Sequence, residues 1–123
     1  MTSTMKFELK SQFQIESARF LPKLPASHPC SRMHGHSFVL IFTFHGALNP
    51  EIGWVRDYHE ITETLKPLLS QLDHKVLNEV PGLDNPTSEM LAVWLFERAQ
   101  KMLPELIRIT VKETPTTECS FPV

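Results

Sequence analysis

The chain has 123 residues, 41% of them hydrophobic, and a formal net charge of −2 at pH 7. This length suits one compact domain over residues 1–123, and the mixed charges, without a Lys/Arg block, argue against nucleic acid as a partner. The longest apolar run, "FVLIF" at 38–42, is too short to span a membrane, and the N-terminus lacks the apolar core of a secretion signal, so a soluble cytoplasmic protein is expected.

Two segments alternate with the period of a half-buried strand. In the first, which starts at Phe7, the apolar side chains share one parity. The second follows the Pro-rich stretch "LPKLPASHPC" and begins at His34. Its more aromatic face carries His34, His36, Phe38, Leu40, Phe42 and Phe44. Both segments are predicted to be strands.

Two helices are predicted to follow these strands. Asp57, with Glu60 three residues later, is a variant of the capping box that begins the first helix, and Pro67 is expected to kink this helix or restrict it locally. Thr87 or Ser88 is the expected N-cap of the second helix. Apolar residues at helical spacing support both predictions: Ile61, Leu65, Leu68, Leu69 and Leu72, then Leu91, Trp94 and Leu95.

A closing strand is predicted in "LIRITVKET", residues 106–114. One face of it carries Ile107, Ile109, Val111 and Glu113. An additional short strand around Gly53–Val55 is compatible with the pattern. The order strand, strand, two helices, strand predicts an α+β fold, an antiparallel β-sheet with two helices packed on one face.

The chemically suggestive stretch is "CSRMHGHSF", residues 30–38. His34 and His36 share a strand face, so their imidazoles can converge on one metal ion, although packed histidines are the commoner use of such a pair. Cys30 lies close enough in sequence for its thiol to approach them, and the alternative is an inert loop thiol. With Cys119 as the second cysteine of the chain, a disulfide framework is not expected and free thiols are.

Two further features involve carboxylates. Asp73 precedes His74, and a carboxylate can fix the tautomer of an imidazole. Neighbouring side chains on a helix point about 100° apart, so the two residues can pair only if the chain leaves the helix there. Otherwise the dipeptide is an exposed helix end.

Glu113 lies in phase with apolar residues, where an ionised carboxylate needs a partner. It would accept two hydrogen bonds from an amidine-like or guanidine-like edge, unless it is solvated just past the strand end.

Five stretches occur in the order "CSRMHGHSF", "GWVRD", "LDHKVLN", "PGLDNPTSE" and "VKET". Together they resemble the 6-pyruvoyltetrahydropterin synthase superfamily, and specifically its 6-carboxytetrahydropterin synthase branch in 7-deazaguanine (queuosine) biosynthesis. The three-residue spacer between Cys30 and His34 favours this branch, since the pyruvoyl-forming relatives usually have a longer spacer.

The resemblance implies a tunnelling fold, in which a barrel is formed by oligomerisation as a hexamer or trimer with active sites between subunits. It implies a lyase that converts 7,8-dihydroneopterin triphosphate to 6-carboxy-5,6,7,8-tetrahydropterin, acetaldehyde and triphosphate. Cys30 corresponds to the catalytic thiol, with Asp73 and His74 completing the proton-transfer set from a neighbouring subunit. Substrate binding is implied for Glu113, which would hold the amino-pyrimidine edge, with Thr87 and Ser88 in the same pocket.

The resemblance also implies zinc, held by His34, His36 and a histidine from the first strand. This chain reads "FQIESARFLP" there, with Arg19 at the ligand position, and a guanidinium cannot ligate zinc, so the site is incomplete. By parity Arg19 points inward unless a bulge rotates it. Three hypotheses follow: a third ligand from Cys30, His28 or another chain; weak binding by two histidines and water; or no metal, with the guanidinium acting as the cation.

Two classes of function are compatible with these residues. The first is an active lyase, in which formation of the 6-pyruvoyl product is the alternative reaction. The second is a non-catalytic pterin-binding paralogue with a degenerate metal site, which Arg19 alone supports. The retained proton-transfer residues favour the enzyme.

Overall fold

The computed structural model describes residues 5–123, and within them it has four strands and two α-helices. The strands are β1 (Lys6–Arg19), β2 (His34–Ala47), β3 (Leu106–Thr114) and β4 (Thr117–Phe121), and the helices are α1 (Tyr58–Ser70) and α2 (Ser88–Met102). Two 3-10 turns, at Pro29–Ser31 and Leu77–Glu79, lie in the connections. The α+β prediction is confirmed.

The strands form one antiparallel sheet in the order β1-β2-β3-β4. β1 and β2 pair over their full facing length, from Lys6 opposite Ala47 to Arg19 opposite His34. No register shift interrupts this pairing, so the alternation read from the sequence carries through to the last residues of the ladder. The inward face of β1 therefore ends on Arg19, and that of β2 begins with His34.

The core lies between this sheet and the helices. Phe38, Phe42 and Phe44 of β2 are fully buried, and they meet apolar residues of both helices. Ile61, Leu65 and Leu68 face the core from α1, as do Leu91, Trp94 and Leu95 from α2. The helix starts follow the predictions, since Asp57 caps α1 by accepting from the His59 N–H and Thr87 caps α2 by accepting from the Met90 N–H.

Three features of the secondary structure differ from the sequence analysis. No strand forms at Gly53–Val55, where the chain makes turns and bends, and Gly53 has a φ of 90° that a strand does not accommodate. A register shift in the pairing of β2 with β3 sets Leu106 opposite Phe44 and Arg108 opposite Thr43. Ile107 is therefore an extra, bulged residue, and Leu106 takes the buried position that was predicted for Ile107. β4 was not predicted at all.

Candidate active site

The site is built where β1 ends and β2 begins. Arg19 lies directly opposite His34 in the ladder, and Ser17 lies opposite His36. Because the register is unbroken, the Arg19 side chain points to the buried face, where the residue is 2% exposed. The inward orientation predicted from its parity is confirmed.

Three contacts fix the Arg19 guanidinium. Its Nη2 donates to Oε1 of Glu113 at 2.5 Å, and its Nη1 donates to the carbonyl oxygen of Pro86 at 3.0 Å. The Cζ atom lies 5.2 Å from the centre of the Phe38 ring. A charge this deeply buried requires such partners, and the planar fork of arginine suits two acceptors at once.

Glu113 comes to this cluster from β3. The Ser88 hydroxyl donates to the same oxygen, Oε1, that accepts from Arg19, so both lone pairs of Oε1 are engaged. Burial alone would raise the pKa of Glu113, but the hydrogen bonds from Ser88 and Arg19 outweigh it and hold the pKa below its ordinary value. Glu113 is therefore ionised at neutral pH and fixed by two other elements.

The two histidines lie edge to face, with ring centres 4.9 Å apart. Nδ1 of His34 is 2.7 Å from the Arg32 carbonyl oxygen. A carbonyl can only accept, so Nδ1 carries a hydrogen, and Nε2 is the acceptor in the neutral form of the ring. Burial, with the positive charge of Arg19, lowers the pKa of His36. The two rings therefore lie beside a permanent cation, which disfavours a second positive charge on His36.

A cavity of about 320 Å³ adjoins this cluster. Cys30 lines this cavity from the 3-10 turn, and its backbone N–H donates to Nδ1 of His28. The other lining residues that concern the chemistry are Arg19, Thr87, Ser88, Glu113 and Cys119. The structure thus brings the predicted thiol, the predicted carboxylate and the start of α2 to one cavity.

Asp73 and His74 follow the end of α1, and the chain does leave the helix there. His74 has a φ of 59°, and its Nδ1 lies 3.1 Å from Oδ1 of Asp73. The backbone of Glu16 holds both residues, since its N–H donates to Oδ1 of Asp73 at 2.8 Å and its carbonyl accepts from the His74 N–H at 2.6 Å. The pairing that the sequence left conditional is present.

This pair does not line the cavity of Cys30. His74 lines a separate cavity of about 530 Å³, together with Glu16, His36 and Ser37. The hydrogen bond from the Glu16 backbone, and then the contact with His74, lower the pKa of Asp73, so Asp73 is ionised beside the imidazole. Within one chain, the thiol and the Asp–His pair belong to two different cavities.

A family profile described as 6-pyruvoyl tetrahydropterin synthase matches residues 8–122. The chain belongs to this family.

Members with curated names resemble it over most of their length. The 6-carboxy-5,6,7,8-tetrahydropterin synthase of Synechocystis sp. is 34% identical over 116 residues, which cover 89% of this chain and 88% of that protein. The protein of the same name from Bacillus subtilis is 29% identical, with 94% of this chain and 84% of that protein covered. Among solved structures, the Caenorhabditis elegans 6-pyruvoyl tetrahydropterin synthase superposes with a TM-score of 0.89 at 22% identity, covering 100% of this chain and 99% of that one. That likeness shows the fold.

The residues present do not fit the metal that the family resemblance implies. A protein zinc site takes at least three side-chain ligands from histidine, cysteine or carboxylate. Among residues 5–123, no three such side chains converge. Cys30 and His28 do not complete a set with His34 and His36, and the position opposite His34 holds a buried guanidinium that ligates nothing.

Four residues of the site were missed by reasoning from the sequence. Pro86 contributes only a carbonyl, and Phe38 only a ring face, so neither has a side-chain signal for function. Cys119 reaches the cavity on β4, whose five residues "TECSF" carry little periodicity. Glu16 acts through its backbone on Asp73 and His74, and this contact joins segments 57 residues apart.

Proposed function

We propose that this protein is a lyase of queuosine biosynthesis that converts 7,8-dihydroneopterin triphosphate to 6-carboxy-5,6,7,8-tetrahydropterin, acetaldehyde and triphosphate. The observation that carries the proposal is the common cavity of Cys30, Glu113 and the start of α2. Family membership and the names of the Synechocystis and Bacillus relatives support it.

Glu113 is the proposed anchor of the pterin. Its Oε1 is saturated by Arg19 and Ser88, whereas Oε2 has no hydrogen-bond donor among the described residues. An ionised oxygen with both lone pairs open accepts two N–H groups from an amino-pyrimidine edge. Ser88 and Thr87, at the N-terminus of α2, form the adjacent wall of the same pocket.

Cys30 is the proposed base and the Asp73–His74 pair the proposed acid. Moving a proton between carbons that carry hydroxyl groups needs both, placed on opposite faces of the substrate. Because the two groups line different cavities of one chain, we infer that the pair comes from a neighbouring subunit of a homo-oligomer. A trimer or hexamer, with the sheets joined into a barrel, would give each site one thiol and one Asp–His pair.

Zinc at His34 and His36 is the cofactor that the family resemblance implies. When bound, such an ion would stabilise negative charge on a substrate oxygen. It would require a third ligand from outside the chain, because Arg19 occupies the position opposite His34. The steps assigned above to Cys30, Glu113 and His74 do not depend on it.

The test is incubation of the purified protein with 7,8-dihydroneopterin triphosphate, with the pterin product, acetaldehyde and triphosphate each measured. We expect all three products, and a loss of about 10²–10⁴-fold in kcat for Cys30→Ser, because a hydroxyl replaces the thiol base. Glu113→Gln should raise KM, whereas the matched control Glu63→Gln, on the exposed face of α1, should not.

The same assay separates the other functions. Loss of triphosphate without acetaldehyde identifies a 6-pyruvoyl-forming enzyme. Absence of any product, together with binding of the pterin, identifies a non-catalytic paralogue and overturns the proposed function.

A further inference from the structure

Arg19 has a polar atom that its three contacts leave without a partner. Its Nε is buried and has no hydrogen-bond acceptor among the described residues. The same holds for Nε2 of His34, which lies directly opposite in the β1–β2 ladder. Buried polar atoms without partners are rare in native proteins, and each needs an explanation.

The two unpartnered atoms are chemically complementary. Nε of Arg19 carries a hydrogen and can only donate. In the neutral imidazole of His34, Nε2 accepts, since Nδ1 holds the ring hydrogen against the Arg32 carbonyl. A hydroxyl group satisfies both, because its oxygen accepts from Arg19 while its hydrogen is donated to His34. Side chains on directly paired residues lie close enough to share one such group.

A divalent cation, in contrast, is poorly accommodated at this position. The guanidinium is charged at every relevant pH and is held by Glu113 and the Pro86 carbonyl, so it cannot move aside without leaving buried acceptors unpaired. A metal on Nε2 of His34 would therefore sit beside a fixed positive charge of the same sign. It would also lack a third ligand within the chain.

We propose that Arg19 takes the place of the metal ion in this protein: its Nε–H binds a hydroxyl oxygen on the substrate side chain, His34 accepts the proton of that hydroxyl, and the site binds no zinc. This inference rests on the proposed function for the identity of the substrate. The exclusion of metal stands on the geometry of this chain alone.

The guanidinium supplies the electrostatics that the reaction needs. When a C–H proton beside the bound oxygen passes to the sulfur of Cys30, the electron pair of the broken bond stays on the substrate carbons, and negative charge develops on the oxygen as its own proton passes to Nε2 of His34. A buried cation that Glu113 and the Pro86 carbonyl hold in place stabilises this charge. Arg19 is thus a substrate-binding residue that acts most strongly in the transition state.

Metal content is the first test and does not depend on activity. Wild-type protein, loaded with excess zinc and then passed through a desalting column, should retain only substoichiometric zinc by elemental analysis, and zinc should not raise its Tm. Arg19→His, which supplies an imidazole opposite His34, should retain one equivalent and gain Tm with zinc. Both effects should vanish in Arg19→His/His34→Ala. Arg98→His, which lies against Trp94 outside the site, controls for the new histidine.

Two results would overturn the metal-free site. One is stoichiometric zinc in the wild-type protein that survives chelation, a measurement that holds even if the variant fails to fold. The other is a folded Arg19→His protein that takes up no more zinc than Arg98→His, because the arginine would then not be what excludes the metal.

Activity is the second test. Wild-type turnover should be unchanged by a chelator and by added zinc, and Arg19→Gln should lose about 10²–10³-fold in kcat with a smaller change in KM. Equal losses of activity for wild type and Arg19→Gln on chelation would contradict the proposal. A wild-type protein that makes no product under any condition overturns the proposed function instead, while the zinc measurements still decide whether the site excludes metal.

Discussion

Glu113 and Arg19 form an ion pair in which the arginine is 3% exposed and the carboxylate 28%. The importance of this ion pair for stability is measured by the cost of losing one of its members. When the acceptor of a buried guanidinium is removed, no water replaces that acceptor. The loss of one partner therefore destabilises the protein by more than the intact pair stabilises it. Stability and the proposed binding of substrate therefore depend on the same carboxylate.

Glu113→Gln should lower the free energy of unfolding by about 1–3 kcal/mol at pH 7, because Arg19 keeps only a neutral acceptor. The folded pKa of Glu113 lies below its ordinary value of 4.5, so its contribution is present above pH 4.5 and is lost as the pH falls through the lowered value. The difference between wild type and variant should shrink in that acid range. Urea unfolding across pH measures it, and a difference that grows in acid would contradict this assignment.

Cys119 provides a second pH-dependent measurement. Burial, reinforced by the negative charges of Glu89 and Glu113, raises the pKa of its thiol above the ordinary 9.0. In a Cys30→Ser background, which leaves Cys119 as the one thiol, alkylation by iodoacetamide near pH 8 should be slower than for a free cysteine and should accelerate as the pH rises above 9. Rapid labelling at pH 7 would disprove a shielded thiol.

Among the secondary-structure elements, the long strands were predictable and the short ones were not. β1 and β2 each have 14 residues, and in both the burial alternates along most of the strand, so the period of two in the sequence reflects contact of one face with the core. β4 has five residues, none of them buried, and the bulge at Ile107 depends on how β3 meets β2. Such features depend on how the elements pack together, and the sequence pattern alone does not determine that packing.

The features of the site also divide into those that the sequence predicts and those that it does not. The inward position of Arg19 and the pairing of Asp73 with His74 follow from parity and from the end of a helix, both of which are local. The separation of Cys30 and His74 into two cavities depends on the tertiary fold. So does the partner of Arg19, since Glu113 lies 94 residues away.

The turn after α1 yields a prediction that separates stability from activity. His74 adopts a left-handed φ of 59°, which costs a residue with a Cβ atom about 1 kcal/mol and glycine nothing. His74→Gly should therefore be more stable than His74→Ala by about 0.5–1 kcal/mol in urea unfolding, while both lose the imidazole and its activity. Equal stability of the two variants would mean that the backbone at residue 74 is not strained.

For the whole molecule, the described residues contain no helix long and apolar enough to cross a membrane. β1 and β4 are the outer strands of the sheet, and in a barrel of several subunits they would pair with their counterparts. In the proposed oligomer, β4 of one subunit beside β1 of the next would bring the cavity of Cys30, which β4 lines, towards His74, whose cavity β1 lines.

Subunit mixing tests this arrangement. Cys30→Ala and His74→Ala should each be nearly inactive as pure proteins. After joint unfolding and refolding in equal amounts, about a quarter of the shared sites should combine an intact thiol with an intact imidazole, so activity should return to about that fraction of wild type. Wild type carried through the same refolding is the control. Continued inactivity of the mixture would place both groups in one subunit's site.

The guanidinium at the end of β1 also changes what this protein requires from its surroundings. A bound ion dissociates, so the occupied fraction of a metal site follows the concentration of free metal by mass action. A charge that is covalently part of the chain has no dissociation constant, and every folded copy carries it from the moment of folding. Under zinc limitation, this protein would keep its full complement of charged sites while a metal-dependent relative in the same cell would not.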